Sequence, residues 1–264
     1  VRYIGMILKT SADIKKYEEI ATLSTGILWQ LHQKTAEGVT PLQIDELADQ
    51  LCKENGVKPN FKGVGDPKNP YKYSTCISVN DTVVHGIPQD EPLKKGDLVK
   101  VDFGIEKDGL NTDHCFTVVI GDYLSKEDEK LMIVGRKAVL KAAQTAKVGK
   151  TTGDLGYIME STVGAEGFTV AEQYVGHGIG KTLHDEPQVP AWGFPGKGQK
   201  LKEGMVICVE AQIIAGSNDL YLGNDGWSVK TSDKSNSVMF EYMVVVGKKS
   251  ANILTKTMDW PLVK

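Results

Sequence analysis

Three segments that otherwise read as apolar β-strands each carry a single acid: Asp102 in VKVDFG, Glu210 in MVICVEAQII and Glu241 in SVMFEYMVVV. An ionised carboxylate costs several kcal/mol to bury unless it is paired or bound to a metal. One such acid is readily explained by solvent or a nearby Lys; three in similar settings call for a shared cause. A fourth, Asp113, lies in LVKVDFGIEKDGLNTDHCFTVVI, which reads as two strands joined by a turn at Lys107-Asp108-Gly109. That turn is expected to set Asp102 and Asp113 opposite each other or about one residue out of register. Directly opposed like charges destabilise a sheet, and a cation between them reverses the sign.

The loop VGHGIGKTLHDEP, Val175 to Pro187, can be read in two ways. Gly180-Lys181-Thr182 ends as a phosphate loop does, but the Gly required five residues earlier is Val175. Gly176, Gly178 and Gly180 do not make the dinucleotide pattern either. What remains is a glycine-dense loop with His177 and His184, and a single His is by itself more often structural than a ligand. With Asp102, Asp113, Glu210 and Glu241, however, His177 completes a set of four carboxylates and one imidazole. Such a set suits Mn²⁺, Fe²⁺ or Co²⁺ better than a structural zinc. Four carboxylates overcharge one divalent ion, whereas two ions ~3.5–4 Å apart balance them and can hold a hydroxide. That is hydrolytic chemistry.

The elements that must position these residues are legible in outline. A helix is expected from Thr10-Ser11, with Ile14, Tyr17, Ile20, Leu23, Ile27 and Leu31 on one face. In a second, Thr40 caps, Pro41 takes the first turn, Asp45 and Glu46 favour the N-terminus, and Gly56 ends it. Two more fit Ser125–Lys147 and Thr151–Gly167. Gly38, Thr40, Ile44, Leu47 and Gly56 match Gly149, Thr151, Leu155, Ile158 and Gly167 at a constant offset. The match is compatible with an internal repeat and equally with convergent helix caps.

With 264 residues, 41% hydrophobic and 25% charged, the chain can bury one core; no linker divides it, so one α/β domain is expected. A net charge of −3 without a basic run argues against nucleic acid and anionic membranes as partners. No apolar run approaches a membrane span. Cys52, Cys76, Cys115 and Cys208 form no CxxC pair, as in a reducing compartment. The first residue is Val1, read as a trimmed N-terminus.

Together, CISVNDTVVHGIP, the acid pair of VDFGIEKDGLNTD, GHGIGKTLHDEPQVP, VEAQ, DGWSVKT and FEYMVVV resemble the type I methionine aminopeptidases over nearly the whole chain. The resemblance implies a pita-bread fold: two pseudo-symmetric halves of antiparallel sheet flanked by helices, roughly 10–120 and 121–248, in one domain with the metals between them. It implies a hydrolase, a dinuclear metalloprotease that removes N-terminal methionine by metal-hydroxide attack on the first peptide bond. Asp102 would chelate one ion, Asp113 and Glu241 would bridge, and His177 and Glu210 would complete the other. The ions would be cobalt, manganese or iron, with zinc a further candidate. Glu210 would shuttle a proton, His85 would bond the substrate near the scissile amide, and His184 would contact its carbonyl. Tyr71, Cys76, Leu183 and Trp227 would form the methionine pocket. A monomer acting on nascent chains near the ribosome is implied, cytoplasmic or, with a targeting segment removed, in an organelle matrix. The family usually has Pro at Ala211, His at Tyr242, Cys at Val175 and an aromatic at Leu183. Three alternatives stand beside it: a Xaa-Pro aminopeptidase or prolidase, a metal-free binding module of the same fold, and a nucleotide-binding protein.

Overall fold

The computed structural model describes residues 5–264. Four helices form where caps and spacing place them: α1 Ser11–Lys34, α2 Pro41–Glu54, α3 Lys126–Thr145 and α4 Thr152–Gly164. Thr10, Thr40 and Thr151 each close a capping box with the residue three positions on, and Ser125 caps α3. The positions matched by the constant offset share conformations. Thr40 and Thr151 are both N-caps, and Gly56 and Gly167, past the helix ends, take positive φ of 63° and 86°. Asp45 corrects one expectation. It does not favour the dipole of α2 from its first turn; it is buried and accepts from the Ser74 and Thr75 amides and the Thr75 hydroxyl at 2.7–2.9 Å. Three nearby donors outcompete a helix end that Thr40 and Gln43 already satisfy.

All paired strands among the described residues are antiparallel. One sheet orders Thr75–Val79, Leu98–Phe103 and His114–Val119. A six-stranded sheet is centred on two nine-residue strands, Val206–Ile214 and Ser237–Val245. One apolar core packs α1 and α2 on the first sheet, and a second packs α3 and α4 on the other. The two sheets meet side by side, where the Thr117 hydroxyl bonds both the amide and the carbonyl of Met239.

The register of the Asp102 hairpin differs from expectation. Its turn is the two-residue pair Asp108-Gly109, both at positive φ (54° and 75°), the backbone of a type I′ turn for which Asp-Gly is a preferred sequence. Lys107 therefore faces Leu110, and Asp102 faces Cys115. Asp113 lies two residues along from the position opposite Asp102, so the two acids are diagonal neighbours. The pairing lapses at Gly104, where an added Cβ would stand 2.0 Å from the Thr112 carbonyl oxygen. The tip strands, Ile105–Lys107 and Leu110–Asn111, join a separate small sheet with Lys58–Pro59.

Candidate metal centre and substrate pocket

Asp102 is on the first sheet, Asp113 just before its His114–Val119 strand, and Glu210 and Glu241 are on the long strands of the second. Glu210 and Glu241 are directly paired in that ladder. The like-charge opposition expected within the hairpin is thus found here, at the spacing where carboxylates repel most. Ligand atoms of Asp102, Asp113 and Glu241 lie within 4.8 Å of one another. Asp113 also groups in this way with His177 and His184, and Glu241 with His177 and Cys208. Thus Asp113 and Glu241 each belong both to a group with Asp102 and to a group with His177. Glu210 comes within 3.9 Å of the His177 Nε2, and Asp113 within 3.6 Å.

His177 is turned to present that nitrogen. Its Nδ1 is 2.9 Å from the Gly178 carbonyl, which can only accept, so Nδ1 carries a hydrogen and Nε2 is the nitrogen turned to the cluster. Its strand, Gly176–Gly178, can lie this close because both glycines lack a Cβ: one added at Gly176 would meet the Cys208 carbonyl at 2.4 Å.

Burial pushes Asp102, Asp113 and Glu241 well above the ordinary carboxylate range, and their mutual repulsion and that of Glu210 push the same way. Burial also raises Glu210, opposed by His177 and by the Gln212 amide, which donates to its Oε2 at 2.5 Å. One oxygen each of Asp102, Asp113 and Glu241 is buried without a hydrogen-bond partner. Three orphaned carboxylate oxygens, on acids whose ligand atoms gather within 4.8 Å, are costly by themselves. The donor set, oxygen-rich with one imidazole, fits hard or borderline divalent ions.

These acids form the floor of a cavity of about 140 Å³. Every residue expected at the site lines it: the five metal-type ligands, His85, His184, Tyr71, Cys76, Leu183 and Trp227. Tyr71, Cys76, Leu183 and Trp227 also pack in one apolar cluster with Phe61. The Tyr71 hydroxyl is held by the Thr75 and Gly86 carbonyls at 2.8 and 2.9 Å, and its ring meets that of Trp227 edge-on at 5.0 Å. His85 takes a positive φ of 57° and packs against Tyr174. Burial lowers its pKa to about 4. His184 stands at the exposed mouth, its ring 4.6 Å from that of His177; it is lowered too, first by partial burial, then by the imidazoles of His177 and His85.

Sequence reasoning missed Phe61, Val64, Val84 and Met239 in the lining, and Cys208 and Gln212 beside the acids. Phe61 and Val64 lie in an irregular stretch with no periodicity to mark them. Gln212 was legible in principle, two residues from Glu210 and so on the same strand face. Ala211 and Tyr242 lie on the other face, in the core beneath α3 and α4, away from the acids.

The Gly180-Lys181-Thr182 stretch shows the wrong polarity for a phosphate. The carbonyls of Gly180 and Lys181 accept from the Asn111 side chain at 3.1 Å, and the Gly180 amide is spent on Thr182. An anion there would meet acceptors.

The chain matches metallopeptidase family M24 over residues 14–248. It belongs to that family. Within it, the chain is 33% identical to methionine aminopeptidase 1 of Bacillus subtilis over 95% of its own length and 99% of that protein's. It is 34% identical to a methionine aminopeptidase of Helicobacter pylori, over 96% and 100%. The solved methionine aminopeptidase of Thermotoga maritima superposes with a TM-score of 0.89 at 36% identity, over 95% of this chain and 100% of that one. The pita-bread architecture is thereby this chain's fold. The prolidase of Pyrococcus horikoshii shares that fold, with a TM-score of 0.73 at 23% identity, and this chain covers 63% of it. No helix among the described residues is long and apolar enough to cross a membrane.

Proposed function

We propose that this M24 metallopeptidase is a methionine aminopeptidase holding two divalent ions, and that it removes the initiator methionine from nascent chains in a reducing, cytosol-like compartment. The observation that carries the reading is the set of orphaned carboxylate oxygens at the floor of a cavity walled by Phe61, Tyr71, Cys76, Leu183 and Trp227. A thioether fits such a wall of aromatics and a thiol. Asp102 would hold one ion and His177 and Glu210 the other, with Asp113 and Glu241 available to both. The sharing of Asp113 and Glu241 between the Asp102 and His177 groups supports that assignment. The molecule is one domain, its halves meeting at the cavity.

When bound, such ions supply Lewis acidity and lower the pKa of water at the site. The Glu210 carboxylate would accept a proton from the attacking water and pass it to the leaving amine. The Gln212 amide keeps its carboxylate aimed at the cavity. His85, held neutral by burial, bonds the substrate near the scissile amide, and His184 at the mouth bonds its carbonyl. Manganese, iron or cobalt suits this donor set, with zinc next.

The test is hydrolysis of Met-Gly-Met and Xaa-Pro peptides by ion-free protein reconstituted with Mn²⁺, Co²⁺, Fe²⁺ or Zn²⁺. Release of methionine with at least one ion supports the reading. Cleavage confined to Xaa-Pro peptides, or none with any ion despite binding, overturns it.

A further inference from the structure

Lys100 is 1% exposed and lies on the Leu98–Phe103 strand two residues from Asp102, so on the same face. No carboxylate pairs with it among the described residues. Its ammonium instead meets three oxygens: the Asn80 carbonyl at 2.9 Å, the Ser237 carbonyl at 2.8 Å and the Ser237 hydroxyl at 3.1 Å. The side-chain nitrogen of a Lys can direct up to three hydrogens, so it can serve each oxygen of this cage. The cage is itself fixed. Asn80, at a positive φ of 52°, is clamped by bonds to Leu98 and Asp97. Ser237 is bonded to Asn80 through its amide and to Asn80 or Thr82 through its hydroxyl.

Ser237 opens the strand that carries Glu241 four residues later. The first rung between the two sheets is therefore Lys100 to Ser237, and the next is Thr117 to Met239. Asp102 and Glu241 come together beyond these rungs. We infer that Lys100 is a positioning residue of the metal centre, a buried donor whose three-oxygen cage fixes the Glu241 strand against the Asp102 strand. The inference rests on the metal-site reading above.

Two variants test it by calorimetric titration of ion-free protein with Mn²⁺, beside its melting temperature. Lys100→Met keeps most of the bulk but removes the donor shared by the Asn80 carbonyl, the Ser237 carbonyl and the Ser237 hydroxyl; Mn²⁺ affinity is expected to fall about 10–100-fold, the range for loss of a partner that orients ligands. Lys100→Ala deletes the atoms of a propylammonium ion. Added propylammonium chloride is expected to restore affinity in that variant and not in Lys100→Met, where the longer side chain occupies the space the propyl chain needs. 1-Propanol, of similar size but uncharged, is expected to restore little. Wild-type affinity in Lys100→Met, or equal rescue of Lys100→Ala by propanol, overturns the inference. If neither variant folds, Ser237→Ala removes one oxygen of the three, and unchanged Mn²⁺ affinity there overturns it as well. Wild-type protein that binds no Mn²⁺ would instead refute the metal-site reading, so the two failures are distinguishable.

Discussion

At the scale of single residues, Glu210 and Glu241 face each other across one ladder yet carry different tasks. Glu210→Gln keeps an oxygen acceptor and loses the base. We expect kcat for methionine release to fall about 10²–10⁴-fold with KM little changed and metal still bound, as general-base loss predicts. Steady-state kinetics and calorimetry on one preparation check it; near wild-type kcat at full loading would leave the proton to His85 or His184. Glu241→Ala is expected to abolish activity and disrupt metal binding, since that residue belongs to both ligand groups. Its ion-free form is expected to melt no lower than ion-free wild type, because an orphaned, repelled carboxylate is gone. A clearly lower melting temperature would show that Glu241 supports the fold by itself. The acids were legible because a charge inside an apolar strand is anomalous whatever surrounds it. Lys100 in LVKVDF is the same anomaly with the opposite sign, and a search confined to acids passed it by.

At the scale of elements, caps were legible and registers were not. Thr40 with Gln43 and Thr151 with Asp154 announce helix starts through contacts three residues apart, so sequence alone finds them. The pairing of Glu210 with Glu241 spans a long connection, and nothing local encodes it. The Asp102 hairpin lies between these cases: the sequence locates the turn at Lys107-Asp108-Gly109, but Asp113, expected opposite Asp102 or about one residue out of register, is two residues along from that position. Gly104 is where that hairpin bends from one sheet into another. Gly104→Ala would force a Cβ against the Thr112 carbonyl and the Asn60 side chain. Urea unfolding is expected to show a loss of about 1–3 kcal/mol, the usual cost of overpacking, together with weaker metal binding as Asp113 shifts. Unchanged affinity would mean that the bend does not place Asp113.

For the whole molecule, the ion-free and loaded forms should respond to acid in opposite ways. In the ion-free chain Asp102, Asp113, Glu210 and Glu241 are all held above their ordinary values. Between the unfolded carboxylate range, ~4, and the raised folded range, the folded chain binds more protons than the unfolded one. Stability from these groups is thus greatest at the acidic end and is lost as pH rises through the folded values, which belong to the four acids jointly. The melting temperature of chelator-treated protein, relative to the Mn²⁺-loaded form, is expected to rise between about pH 8 and pH 5. A gap that widens on acidification would contradict it. The orphaned oxygens of Asp102, Asp113 and Glu241 have one more consequence. Acids whose protons are held by burial and then by each other's charge must release those protons before an ion can enter. Uptake of metal is then an exchange, and the occupancy of the centre follows the acidity of the surrounding medium as well as the supply of free ion.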